Sequence, residues 1–158
     1  MLQSAHQHFV AASIAILEAR MGGLWYYTYP YWSCLDGMYS LTPFYTLTAI
    51  SSSHSPNFTA LDDMLHQLEL LWLHCRNASS GLLVHGYGDS RTAIWANPIT
   101  GASPHVWDRS LGWFSMALVD TIELLSCSCE CLSRYRQRLL EMSCELAGAL
   151  IEAVDSST

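Results

Sequence analysis

The chain has 158 residues, enough for one domain and short for two. It is 51% hydrophobic and only 13% charged, a greasy balance that points to apolar surface expecting a partner or a missing remainder. A net charge of −7 argues against a nucleic-acid binder, and all seven cations are arginine, which removes Schiff-base lysine chemistry and the lysine-bearing phosphate loop.

In chain order, Gln7–Ala19 reads as a helix. Its apolar run, Phe9–Leu17, is too short to cross a bilayer, so no membrane partner is expected. The run follows histidines rather than a basic region, which makes a poor secretory signal, and the compartment stays open between cytoplasmic and secreted. Leu35–Leu41 and Pro43–Ile50 read as two short helices or one with a proline break. Leu61, Met64, Leu65, Leu68, Leu71, Trp72 and Cys75 form one face of a long amphipathic helix, with Asp62 and Asp63 placed in its first turn and Arg76 near its end. Ser103-Pro104 is expected to cap and open another, through Leu111, Phe114, Leu118, Ile122 and Leu125. A last helix over Leu132–Val154 runs through Leu139, Ser143, Leu146, Leu150 and Val154. No alternation of period two is found, and Ser51–Pro56 and Ser126–Glu130 read as connectors. The sum is one all-α domain, 1–158, built of stacked helical hairpins.

The cysteines say little. Cys34 and Cys75 sit singly in apolar surroundings. Cys127, Cys129 and Cys131 lack zinc-pair spacing, so a tolerated loop is favoured over a soft-metal site. Asn57-Phe58-Thr59 and Asn77-Ala78-Ser79 are glycosylation sequons, meaningful only for a secreted chain.

The chemistry is concentrated in two ring-rich stretches, Gly22–Phe44 and Gly81–Trp113. Each sets acids among tryptophans, tyrosines and turn residues. Aromatic faces stack on the apolar face of a sugar while carboxylates handle protons. In the first stretch Trp25, Tyr26, Tyr27, Tyr29, Tyr31 and Trp32 lead into Asp36, which can also serve only to cap a helix. In the second, His85, Tyr87 and Asp89 fall in a turn-rich segment, where catalytic groups concentrate. His105, Trp107, Asp108 and Arg109 follow at a helix start, whose amides suit an anionic group. Arg109 can grip a carboxylate or merely bridge to Asp108 or Asp36. Trp95, Trp107 and Trp113 are stacking platforms or plain core.

The runs GGLWYYTYP…W…LDGMYSLTPF and GLLVHGY…WANP.TGASPHVW.RSLGW resemble the family 105 glycoside hydrolases, the unsaturated rhamnogalacturonyl hydrolases, especially fungal members. The resemblance covers most of Gly22–Leu125 in order and spacing, and the unsaturated glucuronyl hydrolases are its neighbours. It implies an (α/α)6 toroid, a ring of helical hairpins about a central cleft. It implies a pectin-degrading activity that releases the terminal unsaturated galacturonic acid of rhamnogalacturonan fragments. There, an aspartic acid protonates C4 of the C4=C5 enol ether, water adds at C5, and the hemiketal opens and expels the neighbouring sugar. No metal or other cofactor is implied, and the partner is an unsaturated oligosaccharide.

Carried over, Asp36 matches an active-site acid, and His85, Trp107, Arg109 and Trp113 match cleft residues. With them Trp32, Tyr87 and His105 are taken as substrate-binding, and Asp36 and Asp89 as catalytic. The family's acid is expected at position 88, where this chain has Gly88, with Asp89 one step on. A step of about 3.8 Å exceeds what productive geometry tolerates, unless Gly88 adopts positive φ and swings Asp89 back. The resemblance also stops about half-way round the toroid, roughly six helices by their periodicity, so self-association or a missing second half is expected. The readings left standing are the hydrolase, an inactive carbohydrate-binding remnant, a purely structural helical protein and, weaker, a retaining glycosidase.

Overall fold

The computed structural model describes residues 31–51, 55–126 and 130–156. The expected helix over Gln7–Ala19, the rings Trp25–Tyr29, and Cys127 and Cys129 lie outside them. Within them the order is β1 (Trp32–Cys34), a 3₁₀ turn (Leu35–Gly37), α1 (Met38–Ile50), α2 (Phe58–Cys75), β2 (Gly86–Gly88), α3 (Asp108–Ser126), a second 3₁₀ turn (Glu130–Leu132) and α4 (Ser133–Asp155). No helix among them is long and apolar enough to cross a membrane.

Two hairpins form the frame. α1 packs on α2 and α3 packs on α4, while α1 and α3 pack on each other. Pro43 lies inside α1, so the two readings of this segment resolve into one helix behind a 3₁₀ turn. At the α1–α3 contact Thr121 bonds both Ala117 O (2.6 Å) and Thr42 Oγ1 (3.3 Å), and Thr42 in turn donates to Met38 O (2.9 Å). Three ion pairs join α2 to α4: Asp62–Arg134 (2.6 Å), Glu69–Arg138 (2.9 Å) and Arg76–Glu145 (2.5 Å). Partners advance together along both helices, so α2 and α4 run in the same direction. Such exposed pairs add little stability singly. What they fix is register.

The first turn of α2 is not where the sequence places it. The helix starts at Phe58 and is capped by Asn57, whose Oδ1 accepts from Ala60 N at 3.2 Å. Asp62 and Asp63 therefore sit in the second turn and work as struts. Asp63 receives the Tyr45 hydroxyl at 2.7 Å and the Gln67 amide at 3.2 Å. Burial and then that carboxylate raise the Tyr45 phenol to about 12. Asp62 receives Tyr135 OH at 2.7 Å beside its pair with Arg134.

The core runs through Leu35, Leu61, Met64, Leu68, Leu71, Leu83, Leu111, Phe114, Leu118, Leu139, Met142 and Leu146. The expected faces of α2 and α3 are the buried ones. In α4 the buried face is Tyr135, Leu139, Met142, Leu146 and Ala149, whereas Leu150 and Val154 stand exposed. The expected stripe leaves the core in the last turns because it steps by four rather than alternating three and four. Cys131 is disulfide-bonded, so its part of CSCEC is covalently tied.

The helical reading also misses a ribbon. β1 pairs antiparallel with β2, Trp32 opposite Gly88, Ser33 opposite Tyr87 and Cys34 opposite Gly86. A third, irregular path runs alongside: Gly88 N donates to Gly101 O (2.9 Å), Ser103 N to Gly86 O (2.8 Å) and His85 N to His105 O (3.0 Å). Three-residue strands are too short to show alternation above background.

Candidate active site

Alternation along the ribbon builds the site. Directly opposed residues share a face, so Trp32, Cys34, Gly86 and Gly88 look one way and Ser33 and Tyr87 the other. Gly86 is required by the close approach of the strands: a Cβ there would lie 2.4 Å from Ser33 O. Beyond Cys34 the chain tightens into the 3₁₀ turn and carries Asp36 to the same side. Leu35 N donates to His85 O at 3.1 Å, which clamps the two segments and sets their side chains together.

The result is a cavity of about 530 Å³ lined by Trp32, Cys34, Asp36, His85, Trp95, Ser103, His105 and Trp107. That is within the range of ligand pockets, ~300–1,000 Å³. His85 Nε2 lies 3.6 Å from Asp36 Oδ2, too long for a hydrogen bond. Asp36 Oδ2 is buried with no hydrogen-bond partner. A buried carboxylate oxygen left open beside an imidazole is costly to a merely structural core and useful to a ligand hydroxyl or water. Trp32 and Trp95 meet edge to face at 5.1 Å, and Trp107 meets His85 edge to face at 5.3 Å. Burial, helped by the Asp36 charge, raises the Cys34 thiol to about 11 and keeps it neutral.

The other sequence-chosen residues lie around this cavity or behind it. The Arg109 guanidinium is stacked 4.0 Å over the Trp107 ring, outside the lining itself. Trp113 packs on Tyr39 at 4.5 Å, a contact between α3 and α1. Tyr87 is on the back of the ribbon, buried and stacked on His74 at 4.4 Å. Burial lowers the His74 pKa; the Asp89 charge opposes this and the Arg91 charge adds to it. Asp89 does not line the cavity. Its amide donates to Tyr31 O at 2.8 Å, and its charge is felt by His74 and Tyr87.

The swing by which Gly88 would return Asp89 to the front does not occur. Gly81 and Gly101 are the described glycines with positive φ, and Gly88 is paired in β2. A Cβ at Gly88 would meet Trp32 at 3.5 Å, Trp95 at 3.7 Å and Ala96 at 3.8 Å, ordinary contact with the walls of the cavity. A side chain at position 88 would thus lie against two of the cavity's rings, although Gly88, like Asp89, is not itself a lining residue.

The α3 start is likewise displaced. Ser103 does not cap a helix: its amide is spent on Gly86, its Oγ accepts from His105 N at 3.3 Å, and α3 begins at Asp108. Pro98–Gly101 is the expected turn, with Gly101 at φ +78° and Asn97 Oδ1 accepting from Ile99 N and Thr100 N. Sequence reasoning passed over Cys34 and Ser103 as lining residues. Neither had a local signal, because the three-residue strand that carries Cys34 and the irregular path that carries Ser103 are too short to show a pattern.

The frame is thus a set of helical hairpins holding a carboxylate and an imidazole in an aromatic-walled hollow. The chain belongs to Glycosyl Hydrolase Family 88, whose family model matches residues 9–155. A solved Family 105 glycoside hydrolase from C. acetobutylicum ATCC 824 superposes with a TM-score of 0.83 at 28% identity, over 95% of this chain and 40% of that one. A possible Family 105 member from Salmonella enterica serovar Paratyphi A gives a TM-score of 0.69 at 14% identity over 94% of this chain and 37% of that one, and shows the fold alone. Protein Atu3128 of Agrobacterium fabrum and a 24.9 kDa protein in the picA locus of Rhizobium radiobacter are each 42% identical over 82 residues, 50% of this chain and 35% of theirs. The fold is part of an (α/α)6 toroid, and the chain spans about two-fifths of the solved relatives.

Proposed function

We propose that the chain acts on unsaturated uronyl oligosaccharides, releasing the terminal unsaturated galacturonic acid of rhamnogalacturonan by hydrating its C4=C5 bond. The observation that carries this is the open Asp36 oxygen beside His85 in an aromatic-walled cavity. Asp36 in its acid form gives a proton to C4. Water then bonds to C5 and returns a proton to Asp36, with His85 orienting the exchange. The C5 hemiketal opens to a ketone, and the C1–O bond to the neighbouring sugar breaks as C1 becomes an aldehyde. Trp32, Trp95 and Trp107 supply ring faces for the sugar. Arg109, held over Trp107, offers its cation to the uronate.

A second reading is favoured by one specific feature. By resemblance the acid belongs at position 88, which is glycine here and adjoins the cavity rings Trp32 and Trp95, while Asp89 does not line the cavity. On that reading the chain binds the sugar without turning it over. One assay separates the two: the enol ether absorbs in the ultraviolet, and hydration removes the band. Loss of absorbance that Asp36→Asn abolishes supports the hydrolase. Binding without loss supports the remnant, and no binding at all overturns both.

A further inference from the structure

Trp32 and Trp95 meet edge to face at 5.1 Å, and both line the cavity. Trp32 is carried by β1. Trp95 belongs to no helix or strand; it stands in the irregular stretch between β2 and α3. An indole in such a stretch needs its chain fastened nearby, and the fastening comes two residues on. Asn97 N donates to Ala102 O at 2.9 Å, and Gly101 N donates to Asn97 O at 2.8 Å. The Asn97 side chain closes the loop between them, its Oδ1 accepting from Ile99 N at 2.8 Å and Thr100 N at 3.0 Å. Pro98 restricts Asn97 to extended backbone, and Gly101 turns the chain back at φ +78°. The closed loop is tied in turn to β2: Gly88 N donates to Gly101 O at 2.9 Å, and Tyr87 pairs with Ala102. A Cβ on that same Gly88 would meet Trp32 at 3.5 Å and Trp95 at 3.7 Å, so the loop is anchored where the two rings converge.

We infer that Asn97 is a positioning residue: its side chain closes the loop that holds the Trp95 indole against Trp32, and so sets one wall of the cavity for the sugar. Asn97 is exposed, so no demand of the core explains an amide there. Alanine would release the Ile99 and Thr100 amides to water and leave the turn without its side-chain closure. Aspartate would keep that closure, because a carboxylate accepts from main-chain amides at least as well. The indole pairing stands on geometry alone; its use by a sugar rests on the function proposed above.

Circular dichroism of the 158-residue chain tests the pairing, because two indoles this close give an exciton couplet in the ultraviolet. Wild type should show it, and Trp95→Phe should lose it. Asn97→Ala should fall to the Trp95→Phe level, and Asn97→Asp should keep the couplet. Asn57→Ala removes the same kind of bond, an asparagine oxygen accepting a main-chain amide at the start of α2, and should also keep it. That control separates the pairing from a general loss of stability. Calorimetric binding of an unsaturated rhamnogalacturonan disaccharide then tests the use. Asn97→Ala should raise Kd severalfold, as Trp95→Ala does, and the double variant should bind no more weakly than Trp95→Ala. A wild-type chain without the couplet, a couplet that survives Asn97→Ala or is lost in Asn97→Asp, or additive losses in the double variant overturns the proposal. A chain that shows the whole couplet pattern yet binds no sugar overturns the proposed function instead, and Asn97 keeps its place behind Trp95.

Discussion

The two faces of the β1–β2 ribbon are made by alternate residues of the same few positions, yet they differ completely in chemistry. The front presents Trp32 and Cys34 to the cavity that Asp36 also lines. The back presents Ser33 and Tyr87 to the frame, with Tyr87 buried against His74. In a strand a one-residue shift is not a small displacement of a side chain but a reversal of its side. Asp36, in the 3₁₀ turn after β1, lines the cavity and Asp89, in the turn after β2, does not, so two acids equally plausible as letters in a sequence are not equivalent in space.

The sharpest way to break this contrast is Asp36→Asn. Hydrolysis should fall by about 10²–10⁴, the usual range for a positioned proton donor, with sugar binding retained by calorimetry. Equal turnover in the variant would remove Asp36 from the chemistry. Gly88→Asp comes next. Its Cβ fits among Trp32, Trp95 and Ala96, so turnover should rise by about an order of magnitude or appear where there was none, as expected for a second proton-handling group. No gain, with the fold intact, would mean that the front face is not where an acid is needed. Asp89→Asn should change kcat by less than about twofold, because a group away from the reacting atoms gives no acid catalysis. Trp95→Ala should raise KM severalfold, since a lost ring contact is worth roughly 0.5–1.5 kcal/mol, with kcat little altered.

The smallest effect belongs to the back face. The pKa of His74 is lowered on folding, so its neutral form is the one the fold favours. Its contribution to stability is full above the ordinary histidine value and is lost as pH falls through the lower folded value. His74→Gln should flatten that part of a stability–pH curve, and an NMR titration of His74 should give a midpoint below that of a denatured control.

The frame was legible in the sequence for a clear reason. Leu61, Met64, Leu68 and Leu71, or Leu111, Phe114 and Leu118, repeat over enough turns for periodicity to outweigh accident. The ribbon was not, because three residues carry no period and its glycines have no side chain to alternate. The α3 start was misplaced because a Ser-Pro pair can open a local turn as well as a helix: the Ser103 Oγ accepts from His105 N two residues on, and the helix begins only at Asp108. Asp62 and Asp63 were read by position along α2, while their work is done between helices. That Asp36 and His85 belong to one cleft was implied by resemblance; bringing them within 3.6 Å depends on the Leu35–His85 clamp, which no local pattern announces.

Gly86 has one more consequence. The gap between the strands is as narrow as it is because nothing projects from that residue, and the imidazole next to it takes its position from that gap. Any methyl group added there acts as a wedge, prising the acid and its partner apart without ever meeting a sugar. A saturation screen for turnover would therefore rank an inert position beside the reacting ones, and only the spared helical signal in circular dichroism would tell spacer from reagent.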